Sequence, residues 1–318
     1  MRQMLKADGS TRLPVDIASE LCDALSRRQK ELPSRWLAAV DAVALREGHD
    51  RVPRHRDEAV ERELAIALLR DHVTQARPRG LVCLQPSASN AARDVVASIC
   101  GASPVSAIIA AELDHTLATG LMDRIRPADV PATALVCDAT VELPLPLSFP
   151  RPRFYLCLGN SLGRAGAVGA VRMLRVMRTT MMPGDGIILG LAARTAEHEL
   201  DGDSFGDGPA MRHFAALGLV QAATGAALDP SRFDFQPTYD RETRRLETHL
   251  VARRTFTVEL PGICDVRFRK GESIRTSVSD AFDRPRVSAM LAGVGLALRT
   301  WTTDDFAAYV VAFATPAV

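Results

Sequence analysis

The chain reads as an α/β protein, a Rossmann-like core with an inserted α+β domain and N-terminal helices. Three observations carry that expectation. Short continuous apolar runs alternate with helix-length amphipathic segments from residue 81 to residue 189, the pattern of a parallel sheet buried on both faces. From about Thr195 to Arg284 the pattern changes to β-like alternation, and the earlier pattern then resumes. A helical periodicity precedes the first apolar run.

Taken in order, residues 1–76 form an N-terminal helical segment expected to pack with the inserted domain. Leu21, Leu25, Trp36, Leu37, Val40 and Val43 recur at three- and four-residue spacings, interrupted by REGHDRVPRHRDE around Gly48 and Pro53. Residues 77–195 are the core, with strands expected at 81–84, 107–111, 134–136, 154–158 and 187–189. A helix is expected over 169–177, and Pro183 and Gly184 place the reversal in MMPGDGIIL. Residues 196–283 are the insertion. The loop DGDSFGDGP leads into a helix over 211–220, then into the alternations RRLETHLVARR and RTFTVELPG, with a further strand over 266–268. Residues 284–318 complete the core, with a helix near 287–291 followed by LALRTWTTDDFAAYVVAFA.

Composition bounds the function classes. The chain has 318 residues, 47% hydrophobic and 24% charged, with mean hydropathy +0.02. That is globular composition, enough for two domains of about 150 residues each, and it excludes a disordered tail, a collagen-like repeat and a disulfide-stapled miniprotein. A net charge of +1 supplies no field to hold nucleic acid or an anionic membrane, so neither is expected as a partner. No apolar stretch approaches 18 residues, and MRQMLKADGSTRLP lacks the apolar core of a signal peptide, so the chain is expected to be soluble and cytoplasmic.

The cysteines form no C-x-x-C pair. Cys83, Cys137 and Cys157 lie in apolar runs, and all six thiols are expected to be reduced. The histidines form no ligand-spaced cluster, so no metal is expected. Lys6, Lys30 and Lys270 are the only lysines. The arginine excess fits the coding bias of a GC-rich genome, although arginine forks also bind carboxylate, phosphate and sulfate at two points.

Four segments in order, FYLCLGNSLGRA (154–165), MMPGDGIILG (181–190), FDFQPTYDRETRRLETHLVARR (233–254) and FRKGESIRTSVSDAF (268–282), resemble the histidine-specific methyltransferase family across most of residues 80–318. The resemblance implies a class I methyltransferase core that holds S-adenosylmethionine (SAM) and an inserted domain that holds an amino-acid substrate. Fold resemblance alone does not imply the activity.

Position by position, the resemblance is uneven. Where the family carries a glycine-rich loop after the first core strand, this chain has Cys83-Leu84-Gln85-Pro86-Ser87-Ala88-Ser89; two glycines are missing, and a proline fixes φ and removes an N–H. The resemblance places Asp114 at the ribose hydroxyls and Asp138 near the adenine, with Gly159 beside the cofactor. Either acid reads equally well as a helix cap or a solvated loop residue. Among substrate-facing positions it implies Asn160, Ser161, Phe205, Thr248 and Ser277. Ser277 stands where the family has the glutamate that reads an imidazole, so histidine recognition is not expected. Asn160 and Ser161 either donate to a ligand or cap the next helix. Arg164 replaces the family's asparagine and Ser279 retains its serine; both are the candidate catalytic residues. A guanidinium at Arg164 suits a carboxylate, phosphate or sulfate, and a surface arginine beginning a helix is the plainer alternative.

Three functions follow. In the first, the SAM site is degenerate and the fold is repurposed: an amino-acid-like substrate closes its own amine on a carbon bearing a leaving group, with Arg164 stabilising the departing anion. The pattern of losses resembles the aziridine-forming synthases of azinomycin-type antibiotic pathways, which displace sulfate and work with a small partner subunit. No cofactor is expected in that case. In the second, the chain is a SAM-dependent N-methyltransferase acting on an amino acid other than histidine. In the third, it is a non-catalytic protein that binds a partner chain.

Overall fold

The computed structural model describes residues 14–46, 55–85, 91–113, 115–127, 129–193, 207–262, 264–304 and 309–317. Two compact units divide the chain: Met1–Val52 with Ala196–Val278, and Pro53–Thr195 with Ser279–Val318. Elements are numbered in chain order. Among the described residues no helix is long and apolar enough to cross a membrane.

The first unit contains helices α1 (Pro14–Ser26), α2 (Ser34–Arg46) and α8 (Asp207–Thr224). Its strands are β1 (Lys30–Glu31), β7 (Phe233–Asp240), β8 (Arg245–Ala252), β9 (Phe256–Leu260), β10 (Cys264–Phe268) and β11 (Ser273–Asp280); the last two residues of β11 belong to the other unit. One sheet runs β1–β11–β8–β7, and β9 and β10 form a separate antiparallel pair. Within the segment 233–254, β7 and β8 form an antiparallel hairpin. Leu21 and Leu25 of α1, Trp36 and Leu37 of α2, and Leu217 and Val220 of α8 pack with Phe233, Leu250 and Phe268 in one apolar cluster. Each such side chain contributes about 1.5–3 kcal/mol by leaving water.

The expectation of six reduced thiols fails here. Cys22 of α1 and Cys264 of β10 form a disulfide across 242 positions. Sequence spacing carries no trace of such a pairing, because it arises only when the helix docks on the hairpin.

The second unit holds α3 (His55–Ala76), β2 (Gly80–Leu84), α4 (Ala91–Ala102), β3 (Ala107–Glu112), α5 (His115–Ile125), β4 (Ala132–Val136) and β5 (Arg153–Cys157). These are followed by α6 (Ser161–Arg164), α7 (Gly166–Thr180), β6 (Gly186–Ala192), α9 (Arg284–Ala292), β12 (Leu296–Thr303) and β13 (Tyr309–Pro316). The seven-stranded sheet has the order β12–β13–β6–β5–β2–β3–β4. β2, β3, β4, β5 and β6 pair in parallel, and β13 is antiparallel to both β6 and β12.

Both faces of this sheet are buried, as the continuous apolar runs require. One face packs α3 and α4 through Leu68, Leu69, Val95 and Ile99. The other packs α7 and α9 through Met173, Met177, Val287 and Leu291. The 181–185 turn is held by Asp185, which is 1% exposed and accepts hydrogen bonds from the Arg153 and Met182 amides at 2.7 and 2.9 Å while pairing with Arg151. α9 begins at an N-cap, Asp283 accepting from the Arg286 amide at 2.9 Å, with Pro285 in its first turn.

Two boundaries differ from expectation. The sequence pattern groups α3 with the N-terminal segment and the inserted domain, but α3 belongs to the core unit, since its stripe Ala65, Leu68, Leu69 and Val73 packs in the core cluster. Periodicity reveals that a helix buries a face and leaves the partner of that face open. The insertion likewise closes at Val278 rather than at residue 283, because Ser279–Phe282 hydrogen-bond into the core, the Phe282 amide reaching the Ala192 carbonyl at 2.8 Å.

Candidate active site

The strand order sets the location. From β2 the chain steps outward through β3 and β4, then crosses to the opposite side for β5 and β6. The carboxyl ends of β2 and β5 therefore flank a topological switch point, where open α/β sheets bind ligands. Among the described residues, Gln85 follows β2, Leu113 follows β3 and Leu158 follows β5 at that end of the sheet.

After β5 the backbone bends sharply. Gly159 and Asn160 are consecutive left-handed residues, with φ of 65° and 54°. Glycine enters that region freely and asparagine tolerates it better than most L-residues, which is why this pair occupies the bend. The bend is tightly held. The Gly159 amide donates to Glu61 Oε1 at 2.7 Å, and the Asn160 amide donates to the Tyr309 hydroxyl at 3.2 Å and to the Gly190 carbonyl at 3.1 Å. Tyr309 in turn donates to Glu61 Oε1 at 2.5 Å.

The Asn160 side chain is engaged on both atoms. Its Nδ2 donates to Ser279 Oγ and to the Asp280 carbonyl, each at 3.1 Å, and its Oδ1 accepts from the Ala192 amide at 3.1 Å. Asn160 and Ser279 are thus brought together, with the serine supporting the bend. Ser161 is fully buried and donates to Cys157 Sγ at 3.3 Å, toward the core. Arg164, half-buried, ends α6. Burial pushes the Cys157 thiol up to about 11 against the opposing influence of the Ser161 hydroxyl and the Arg164 charge, while Glu61 adds to the rise.

The acids of the β3 and β4 ends come next. β3 ends on Glu112, which is 2% exposed, so the strand-ending acid is Glu112; Asp114 lies outside the described residues. Asp138 follows β4 and accepts from both the amide and the hydroxyl of Thr140, at 2.9 and 2.7 Å, an Asx-type turn. Burial, then Asp138, Glu142 and Glu112, push the Cys137 thiol up to about 12, which marks this end of the sheet as acidic. Among the described residues no three His, Cys, Asp or Glu side chains converge as a metal site.

In the loop after β2, Gln85 sits at φ 47° with its amide bonded to the Ala111 carbonyl at 2.8 Å. Pro86, Ser87, Ala88 and Ser89 lie outside the described residues, as does Phe205.

Thr248 and Ser277 belong to the other unit and point to opposite faces of its sheet. Arg275 of β11 pairs with Glu247 of β8 at 2.6 Å, and Ser273 of β11 meets His249 of β8 at 3.2 Å. Odd-numbered residues of the two strands therefore share a face with Ser277, and Thr248 lies on the other, buried face.

Sequence reasoning passed over three residues. Glu112 lies two positions before Asp114, the acid the resemblance points to. Tyr309 lay in an apolar run. Glu61 did leave a signal: it shares the helical stripe of Ala65, Leu68 and Val73, and an acid on a buried stripe calls for partners.

Residues 108–316 match the family model for histidine-specific, SAM-dependent methyltransferases. The histidine N-alpha-methyltransferase of Mycobacterium tuberculosis is 23% identical over 293 residues, 90% of each chain. Its counterpart from Mycolicibacterium smegmatis is 28% identical over 155 residues, so that alignment spans 48%, about half, of each chain. Among solved structures, the sugar N-methyltransferase KedS8 from Streptoalloteichus superposes with a TM-score of 0.43 at 14% identity, covering 81% of this chain and 88% of that one. The expectation that no cofactor is used is overturned, because the family that matches two thirds of the chain is SAM-dependent. The chain belongs to the histidine-specific, SAM-dependent methyltransferase family.

Proposed function

We propose that this protein transfers a methyl group from SAM to the amine of an amino-acid-like small molecule other than histidine. One observation carries the cofactor half of this reading, the buried carboxylate of Glu112 at the end of β3 beside the switch point. A carboxylate there suits the paired hydroxyls of a ribose, and Asp138 at the end of β4 suits an exocyclic amine. The residues present fit SAM, which when bound supplies an electrophilic methyl on a sulfonium. Gly159 contributes backbone with no side chain in the way. Arg164 binds the carboxylate of the acceptor, orienting a deprotonated amine for in-line attack. Ser277 is neutral and offers no anionic partner for an imidazole N–H, so the family's histidine preference is relaxed.

The test uses SAM carrying a labelled methyl group, the purified chain and a panel of amino acids. Label on the amine of at least one acceptor, with histidine a poor substrate, supports the reading. Transfer to histidine alone, or to none of the panel, overturns it. Arg164→Ala is expected to raise KM for the acceptor about tenfold or more with little change in KM for SAM.

One observation favours a second reading. Gln85 occupies a left-handed position in a loop where the family has glycines. In that reading the same positioned amine closes on a carbon of its own substrate and expels a sulfate-like anion toward Arg164, aided by a small partner subunit. Release of the anion without methyl transfer from an amine that carries such a leaving group distinguishes it from the first.

A further inference from the structure

Glu61 lies on α3, far in sequence from every segment that carries the family resemblance, and it is 1% exposed. A carboxylate on the buried stripe of a helix is costly unless donors meet it. Donors from the described residues include the Gly159 amide at 2.7 Å and the Tyr309 hydroxyl at 2.5 Å. The same hydroxyl accepts the Asn160 amide at 3.2 Å, so one carboxylate and one phenol hold both residues of the left-handed bend. β6 contributes by carrying no side chain at Gly190, where a Cβ would stand 1.9 Å from Glu61 Oε1 and 2.9 Å from the Tyr309 hydroxyl. Strained backbone persists where its surroundings over-determine it, and here α3, β6 and β13 all converge on two peptide units at the mouth of the switch point.

We infer that Glu61 and Tyr309 are positioning residues: they fix the Gly159–Asn160 bend at the carboxyl end of β5, beside the switch point. The inference rests on the methyl-transfer reading for its ligand. Glu61 acts as a hydrogen-bond acceptor, so its shape and acceptor oxygen matter more than its charge. Tyr309 acts through its hydroxyl alone.

The test is S-adenosylhomocysteine titration of the full chain, with amide hydrogen exchange at Gly159, Asn160 and Ala192. Tyr309→Phe and Glu61→Leu are expected to raise the dissociation constant about tenfold or more and to speed exchange at these amides. Glu61→Gln keeps an acceptor oxygen and is expected to stay within about threefold of wild type. Phe313→Leu, in the core on the same strand, is the stability control; it lowers Tm with affinity and exchange unchanged. If affinity in Tyr309→Phe and Glu61→Leu falls no further than in Phe313→Leu at matched Tm, or if Glu61→Gln is as damaging as Glu61→Leu, the inference is overturned. If wild type binds no S-adenosylhomocysteine, the methyl-transfer reading falls instead, and exchange alone decides the clamp: unchanged rates in Tyr309→Phe overturn it, and faster rates sustain it.

Discussion

Tyr309 and Glu61 stand 248 positions apart and share a 2.5 Å hydrogen bond that ties the helix opening the core unit to the strand that closes it. The bond lies beside Gly190, where even a methyl group has no room. Gly190→Ala is therefore expected to destabilise the protein by about 1–3 kcal/mol, the usual cost of overpacking a filled interior. Urea denaturation measures this; a change under about half a kcal/mol would show that the carboxylate yields readily.

Gln85 predicts the opposite sign. A non-glycine residue at φ 47° carries left-handed strain of about 1 kcal/mol, and its amide bond to Ala111 does not depend on the side chain. Gln85→Gly should raise Tm modestly, as seen by thermal unfolding. A lower Tm would mean that the glutamine side chain holds the loop.

Asp185 anchors the turn into β6. Removing its buried carboxylate leaves the Arg153 and Met182 amides and the Arg151 guanidinium without that acceptor. Asp185→Ala is expected to cost about 3 kcal/mol in chemical denaturation, and Asp185→Asn less. Equal losses for the two variants would assign the effect to the ion pair with Arg151.

The thiols define an alkaline limit. Burial, chiefly, pushes Cys83 and Cys137 from 9.0 up to about 12, and Cys100 and Cys157 up to about 11. Between pH 9 and about 12 the unfolded chain loses these protons while the native chain keeps them, so stability falls as pH rises through that window. Native protein should react slowly with Ellman's reagent at pH 8, and protein unfolded without reductant should yield four thiols, the free cysteines. Six thiols would contradict the bond between Cys22 and Cys264.

The core strands were legible because a strand buried on both faces needs a continuous apolar run, and the runs at 81–84, 107–111 and 154–158 lie within or one residue beyond β2, β3 and β5. The reversal at Pro183 and Gly184 was legible for the same local reason, with Gly184 at φ 92°. What stayed hidden depends on tertiary docking: α3 shows its stripe but not its partner, and Cys22 meets Cys264 only once α1 lies against the hairpin. Within the site, the segment containing Gly159, Asn160 and Ser161 was found, but the direction of each side chain was not. Ser161 turns into the core, and the Asn160 amide group is occupied by Ser279, Asp280 and Ala192. The resemblance points to Asp114 as the acid of this strand end, whereas β3 ends on Glu112, two residues earlier.

SAM binding at the switch point, near Glu112, Asp138 and the Gly159–Asn160 bend at the carboxyl ends of β3, β4 and β5, is what the proposed function requires first. Calorimetric titration of the purified chain with SAM and with S-adenosylhomocysteine tests it most directly. Micromolar binding, about 8 kcal/mol, lost about tenfold or more in Glu112→Gln, is the predicted result. No heat of binding with either ligand at millimolar concentration would contradict it.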